Sequence, residues 1–254
     1  MANQSSVDML NPSELGTKEY WDHIYDRELQ NNEDDEDDEG TVWFSESNAE
    51  ETVVKQLGKL AEQGLLKRTD SDGLDASRFL DLGTGNGHML FSLREGDEDE
   101  EPWCGDMVGV DYSETSVQLA RKIAAQKREG EPDGLGSLRL ECWDLLQTPP
   151  REWLEDGFDI VLDKGTFDAI SLMDRQSQDR HPCEVYRDKI TPLVRPDGFL
   201  VVTSCNWTKD ELKRWLASSE SELVYYDEAR YPTFTFGGQT GQSIVTLVFR
   251  RKSA

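Results

Sequence analysis

Four segments of this 254-residue chain combine residue types that could hold and activate a small charged ligand. The first is LDLGTGNG at residues 80–87, where Asp81 precedes glycines at 83, 85 and 87. Glycine lets backbone turn tightly and approach a ligand closely, and a helix starting just beyond would aim its free N–H groups at the same place. The dinucleotide fingerprint runs GxGxxG, but here the spacing is GxGxG and His88 fills the last fingerprint slot. That pattern, after an acidic residue, suits S-adenosylmethionine better than NAD, and no Tyr–Lys or His constellation of an oxidoreductase accompanies it. The second segment ends in Asp111 of GVD, whose carboxylate can accept hydrogen bonds from both hydroxyls of a ribose. Tyr112 beside it can pack on an adenine. In the third, CWDLL, Asp144 can reach the exocyclic amine of that base, with the Leu145 amide next to it. Both carboxylates have plainer readings, Asp111 as a helix N-terminal charge near Ser113 and Asp144 as an ordinary loop aspartate.

The fourth segment, FDIVLDKGTFDAI at residues 158–170, is an apolar strand ending in Asp163, Lys164 and Gly165. In open α/β sheets ligands bind outside the carboxyl ends of the strands, so Asp163 is expected to face the sulfonium and the incoming acceptor. Lys164 reads as a salt-bridge or surface residue, and Asp168 as a charge at the start of the next helix. Asn206 and Trp207 follow a later strand at the same edge. Trp43 and Phe44 could close over the cofactor, while Phe234 and Phe236, in the 231–238 loop, could line a channel for a long aliphatic side chain. Core packing competes with function for each aromatic. His23, His88 and His181 have no ligand or triad spacing, and no metal site is expected.

The elements that must position these residues can be read from hydrophobic periodicity. Residues 1–18 read as polar and loose, and a short amphipathic helix is expected over 17–29 with Thr17 as N-cap. Residues 33–39 are all acidic and are expected to form a disordered loop. A helix over about 48–63 follows, and then the core pattern from Arg78. RFLDLG, MVGVD, SLRLECWDL, FDIVLDKG and FLVVTSC read as strands, with helices at HMLFSLRE, after Ser113, from Thr166, over about 183–194 and at TKDELKRWLAS. Residues 95–102 read as a second acidic loop and VRPDG as a Pro/Gly turn. Alternating strands and helices predict a parallel, doubly wound sheet. ELVYYDE and SIVTLVFRR have no helix between them and should be antiparallel. The division expected is an N-terminal extension over 1–47, carrying an acidic loop at 31–40, and one domain over 48–254.

Net charge is -25, so the surface repels phosphate backbones; it would attract a basic protein partner, and the plainer reading is that the acidity only keeps the chain in solution. Cys104, Cys142, Cys183 and Cys205 contain no CxxC pair, which fits reduced thiols. No apolar run approaches the roughly 18 residues of a membrane span, and the N-terminus lacks a signal-peptide layout. A cytoplasmic monomer is the expectation, with nuclear entry left open.

Together LGTKEYWDHIY, WFSE, FLDLGTGNG, GVDYSETSVQLA, FDIVLDKGTFDAISL, TSCNWTKDEL and FTFGGQTG resemble the eukaryotic lysine methyltransferases that modify translation elongation factor 1-alpha, of the fungal elongation factor methyltransferase 4 and animal methyltransferase-like 10 type. The resemblance runs from about residue 15 to residue 251, and the DKGTFDA and TSCNW segments are more specific than the glycine loop. It implies a Rossmann-like, seven-stranded class I methyltransferase sheet with helices on both faces. It implies S-adenosyl-L-methionine contacts at Gly83, Gly85, Asp111, Tyr112, Asp144 and Leu145, and at Trp43. It also places Asp163 and Asn206 near an acceptor amine on a folded protein. The amine must be neutral to accept a methyl group, although lysine has an ordinary pKa of about 10.4. A methyltransferase of another protein or of a small molecule, or a non-catalytic cofactor-binding scaffold, are the competing readings.

Overall fold

The computed structural model describes residues 9–69, 76–96, 101–127, 135–174, 180–218, 221–232, 234–236, 239–241 and 243–253. In chain order the elements are α1 (Lys18–Asp34), α2 (Ala49–Glu62), β1 (Phe79–Leu82), α3 (His88–Glu95), β2 (Met107–Asp111), α4 (Glu114–Lys127), β3 (Leu138–Cys142), β4 (Phe158–Lys164), α5 (Thr166–Ser171), α6 (Pro182–Ile190), β5 (Val194–Ser204), α7 (Lys209–Leu216), β6 (Leu223–Glu228), the short pair β7 (Phe234–Phe236) and β8 (Gln239–Gly241), and β9 (Val245–Arg251). Seven strands form one sheet in the order β3-β2-β1-β4-β5-β9-β6. β1 to β5 are parallel, and β9 runs antiparallel between β5 and β6. The expected antiparallel end of the sheet is therefore present, and its connection carries the additional β7–β8 pair.

Strand side chains alternate between faces, and the core is split accordingly. Leu80, Leu82, Val108, Val110, Val161, Leu200 and Val202 face α5, α6 and α7, with Phe167, Tyr186 and Trp215 behind them. Phe79, Met107, Ile160, Leu162, Phe199 and Val201 face the other way, onto Val53, Leu57 and Leu60 of α2, Leu90 and Leu93 of α3, and Val117 of α4. Both faces are covered, which is why the central strands are apolar throughout rather than alternating.

Several boundaries differ from the sequence expectations. α1 begins at the Thr17 cap, whose hydroxyl accepts from Tyr20 N, but extends to Asp34 rather than stopping near 29. The acidic stretch after it is held rather than loose. Asn32 Nδ2 donates to the Asp38 carbonyl at 2.9 Å, and Asn86 Nδ2 donates to the Glu39 carbonyl at 2.8 Å. Asn32 is fully buried, so its amide requires such partners. In the second acidic loop, residues 97–100 lie outside the described residues. Residues 9–17 are also seated. A 3-10 turn spans Glu14–Gly16, and Ser13 N donates to the Leu172 carbonyl at 3.1 Å. VRPDG is not a free turn after a helix. α6 ends at Ile190, Val194 already pairs with Phe158, and the next pair is Ile160 with Phe199. The residues between bulge out of β5 around Asp197, whose φ is 65°. α7 has the expected capping box between Thr208 and Glu211. Among the described residues no helix is long and apolar enough to cross a membrane.

Candidate active site

A cavity of about 440 Å³ opens at the carboxyl ends of the parallel strands, a volume usual for a small-molecule site. β1 runs into the glycine turn, where Gly83 has φ 64° and Gly85 has φ 57°, conformations that disfavour side chains. A Cβ on Gly83 would run into the Thr166 hydroxyl, and one on Gly85 would meet the Tyr25 hydroxyl at 2.5 Å. The turn is thus packed from both sides. Asp111 closes β2 beside it. Its two carboxylate oxygens accept one backbone N–H each, from Ser113 at 2.9 Å and Gly85 at 3.1 Å. Each oxygen keeps a second lone pair, so the residue both caps α4 and can receive a ligand hydroxyl. Burial pushes the Asp111 carboxyl up, and the Ser113 and Gly85 hydrogen bonds pull it back.

The outer wall comes from the N-terminal extension. Leu15, Thr17, Lys18 and Trp21 line the cavity together with Trp43 and Phe44. Trp21 meets Trp43 edge-on with ring centroids 5.2 Å apart, and the Lys18 ammonium stands 5.4 Å from the Tyr112 ring. Lys164 holds the Trp43 turn in place. Its ammonium donates to the Trp43 carbonyl at 3.0 Å and lies 3.4 Å from Glu50, which also contacts His88 at 2.6 Å. Burial raises the Glu50 carboxyl, but His88 and Lys164 outweigh it and leave Glu50 below its ordinary value.

Of the residues expected to serve the site, Trp43, Gly83, Asp111, Tyr112, Asp144, Leu145 and Asn206 line this cavity. Asp144 does part of its work locally: Oδ1 accepts from Leu146 N at 2.9 Å and Gln147 N at 3.1 Å. Gly85 lies one layer behind, under Tyr25. Asp81 is also behind the wall, accepting from the Thr84 hydroxyl at 2.7 Å, and burial pushes its carboxyl up to about 7.

Two placements correct the sequence expectation. Asp163 does not face the cavity. It shares the parity of Val161 on β4, so it points toward α6, where it is 2% exposed. There it accepts from Phe167 N at 3.1 Å and from the Tyr186 hydroxyl at 2.5 Å, and burial pushes it up to about 7. Trp207 is no channel residue either. It is buried in the core against Phe167 and Trp215, because the turn after β5 folds it inward. Phe234 and Phe236 sit on β7, where only the backbone is described.

The carboxylate that does reach the β4–β5 side of the cavity is Asp168, on the first turn of α5. Ser204 Oγ donates to one of its oxygens, and Cys205 N donates to the other at 2.8 Å. Its signal in the sequence was its position three residues beyond Gly165, which is inside the first helical turn and therefore directed toward the sheet edge. The other missed contributors are Leu15 to Glu19 and Trp21: the periodicity marked a helix over 17–29 but carried no sign that its start closes the cavity.

These residues fit S-adenosylmethionine: a cradle only glycine can form, a ribose-directed carboxylate, an aromatic shelf at Tyr112 and a second carboxylate at Asp144. Comparison with known proteins agrees. Residues 74–252 match a family described as a methyltransferase domain. Protein-lysine N-methyltransferase efm4 of Schizosaccharomyces pombe is 36% identical over 238 residues, covering 94% of this chain and 94% of that protein. EEF1A lysine methyltransferase 2 of Danio rerio is 37% identical over 243 residues, covering 94% and 89%. Magnesium protoporphyrin IX methyltransferase (ChlM) from Synechocystis PCC 6803, solved with S-adenosylhomocysteine, shares the fold with a TM-score of 0.51 at 14% identity, covering 84% of this chain and 89% of that one. Sheet, glycine turn and cavity together define a class I, S-adenosylmethionine-dependent methyltransferase. Within that class the chain belongs to the protein-lysine N-methyltransferase family of these fungal and animal relatives.

Proposed function

We propose that the chain methylates a lysine side chain of translation elongation factor 1-alpha, acting as a cytoplasmic monomer. The observation that carries this reading is similarity along nearly the whole chain to relatives named protein-lysine N-methyltransferase and EEF1A lysine methyltransferase. The net charge of -25 supports a basic protein partner and disfavours a phosphate-rich one.

When bound, S-adenosylmethionine supplies an already activated methyl group, so this chain's residues need only align, desolvate and neutralise the acceptor. Gly83, Asp111, Tyr112, Asp144 and Leu145 would hold the adenosine portion. Trp21, Trp43 and Phe44 exclude water over it. Asn206 stands at the carboxyl edge of β5, where its amide can hydrogen-bond an incoming amine. Asp163 acts from behind, fixing the start of α5 through Phe167 N. Enclosure in this cavity lowers the proton affinity of an entering ammonium, since burial disfavours the charged form.

The test is incubation of the purified chain with methyl-labelled cofactor and purified elongation factor 1-alpha, with the product mapped by mass spectrometry. Label on one lysine is the expected result. Cofactor binding without transfer to this substrate, or to any band in a whole lysate, would overturn it in favour of a binding scaffold.

A further inference from the structure

Two positive charges must meet in the cavity, a cofactor sulfonium and a substrate ammonium, and the wall at their meeting point needs a compensating anion. The cavity carries five carboxylates among its described lining: Glu19, Asp111, Asp144, Asp168 and Asp174. Glu19 and Asp174 are exposed to solvent at the mouth. Asp111 and Asp144 sit on the β2 and β3 side, with the glycine turn. Asp168 alone is both buried, at 5% exposure, and on the β4–β5 side beside Asn206. The remaining polar groups there are unsuited to taking a proton. The Lys164 ammonium is committed to Glu50 and the Trp43 carbonyl, and the Asn206 amide does not titrate.

We propose that Asp168 is the group that accepts the hydrogen bond, and then the proton, of the substrate lysine. This inference rests on the lysine-methylating activity above and names the residue that prepares its acceptor. Ser204 Oγ and Cys205 N each donate to one carboxylate oxygen and hold its plane fixed, while the Cys205 thiol and the Asn206 N–H also bear on it. In the step, an N–H bond of the ammonium breaks and an O–H bond forms on Asp168. The electron pair left on nitrogen is the pair that bonds the methyl carbon, while the pair of the breaking S–C bond stays on sulfur. The proton afterwards returns to water at the mouth, where Cys205 is exposed. Burial already raises the proton affinity of this carboxyl, against the pull of Ser204 and Cys205 N–H. The other titratable groups facing it are Asp163 on β4, Cys183 and Tyr186 on α6, and Cys205 after β5. Asp163 is thereby a positioning residue: it holds Phe167 N, the residue next to Asp168.

The experiment compares wild type, Asp168→Asn and Ser204→Ala, each assayed for methyl transfer to elongation factor 1-alpha across pH and for S-adenosylhomocysteine binding by calorimetry. Asparagine can still accept from Cys205 N and pair with Ser204, so the fold is retained. The expected result for Asp168→Asn is a fall in kcat on the order of 100-fold, the usual scale for a lost general base, with unchanged S-adenosylhomocysteine affinity and no acid limb in the pH profile. Ser204→Ala keeps the carboxylate but removes a donor that lowers its proton affinity, so its acid limb moves to higher pH. Wild-type turnover and an intact acid limb in Asp168→Asn would overturn the proposal while leaving the activity standing, as would an unmoved limb in Ser204→Ala. A wild-type protein that binds S-adenosylhomocysteine yet methylates no elongation factor would instead remove the activity on which it rests.

Discussion

The two ends of the cavity are built in different ways. At the β1–β2 end, the glycine turn, Asp111 and Tyr112 are supplied by strand ends and the turns that follow them, and each residue is placed by local backbone. At the β4–β5 end, the wall is assembled from segments far apart in sequence: Leu15 and Gly16 beside Leu172, Trp43 and Phe44 beside Lys164 and Gly165, Asp168, and Cys205 with Asn206. The first kind of wall is fixed by conformation, the second by packing. The first should therefore fail sharply when one residue changes, and the second should loosen by degrees.

The largest effect expected is at the turn itself. Gly83→Val puts a branched side chain at φ 64° against Thr166. Strain of about 3 kcal/mol is anticipated, seen as a lower Tm and loss of S-adenosylhomocysteine binding in calorimetry. Asp111→Ala comes next. It removes the ribose-directed acceptor and should weaken cofactor affinity by about 2 kcal/mol, roughly 30-fold in Kd. An affinity equal to wild type would show that the ribose lies elsewhere. At the other end, Gly16→Val would drive a side chain into the Leu172 backbone and lift the Glu14–Gly16 turn. A smaller loss is expected there, about tenfold in Kd, with kcat reduced more than Tm as water enters. If Gly16→Val instead abolished folding, the Glu14–Gly16 turn would belong to the core rather than to the site.

How far each end was legible follows from the same contrast. The glycine spacing, Asp111, Asp144 and the capping box at Thr208 are local patterns, and residue types alone located them. Asp163 shows where that reasoning stops. On a strand covered on both faces, Ile160, Val161 and Leu162 are all apolar, so the sequence carries no alternation from which to read that Asp163 points to α6 and Lys164 to α2. Trp207 misleads similarly, because its direction is set by the turn after β5. The acidic run at 33–39 reads as unable to order itself, and alone it cannot. Its carbonyls are tied by Asn32 and Asn86, partners that no composition argument reveals.

The smallest effect at any one pH is at Asp163. Its folded pKa of about 7 lies above the ordinary value near 3.9, so the folded state binds this proton more tightly. The associated stability is complete below about pH 4 and is lost as pH rises through about 7. Asp163→Asn cannot titrate. Relative to wild type, its Tm should therefore improve steadily across that window, and a gap constant with pH would contradict the buried position.

The most direct test of the account is a calorimetric titration of the folded wild-type chain with S-adenosylhomocysteine. Saturable heat with one molecule bound per chain, weakened in Asp111→Ala and absent in Gly83→Val, is the result the geometry predicts. A correctly folded protein that releases no heat with this ligand, or that binds it equally well in all three forms, would contradict the assignment of the cavity.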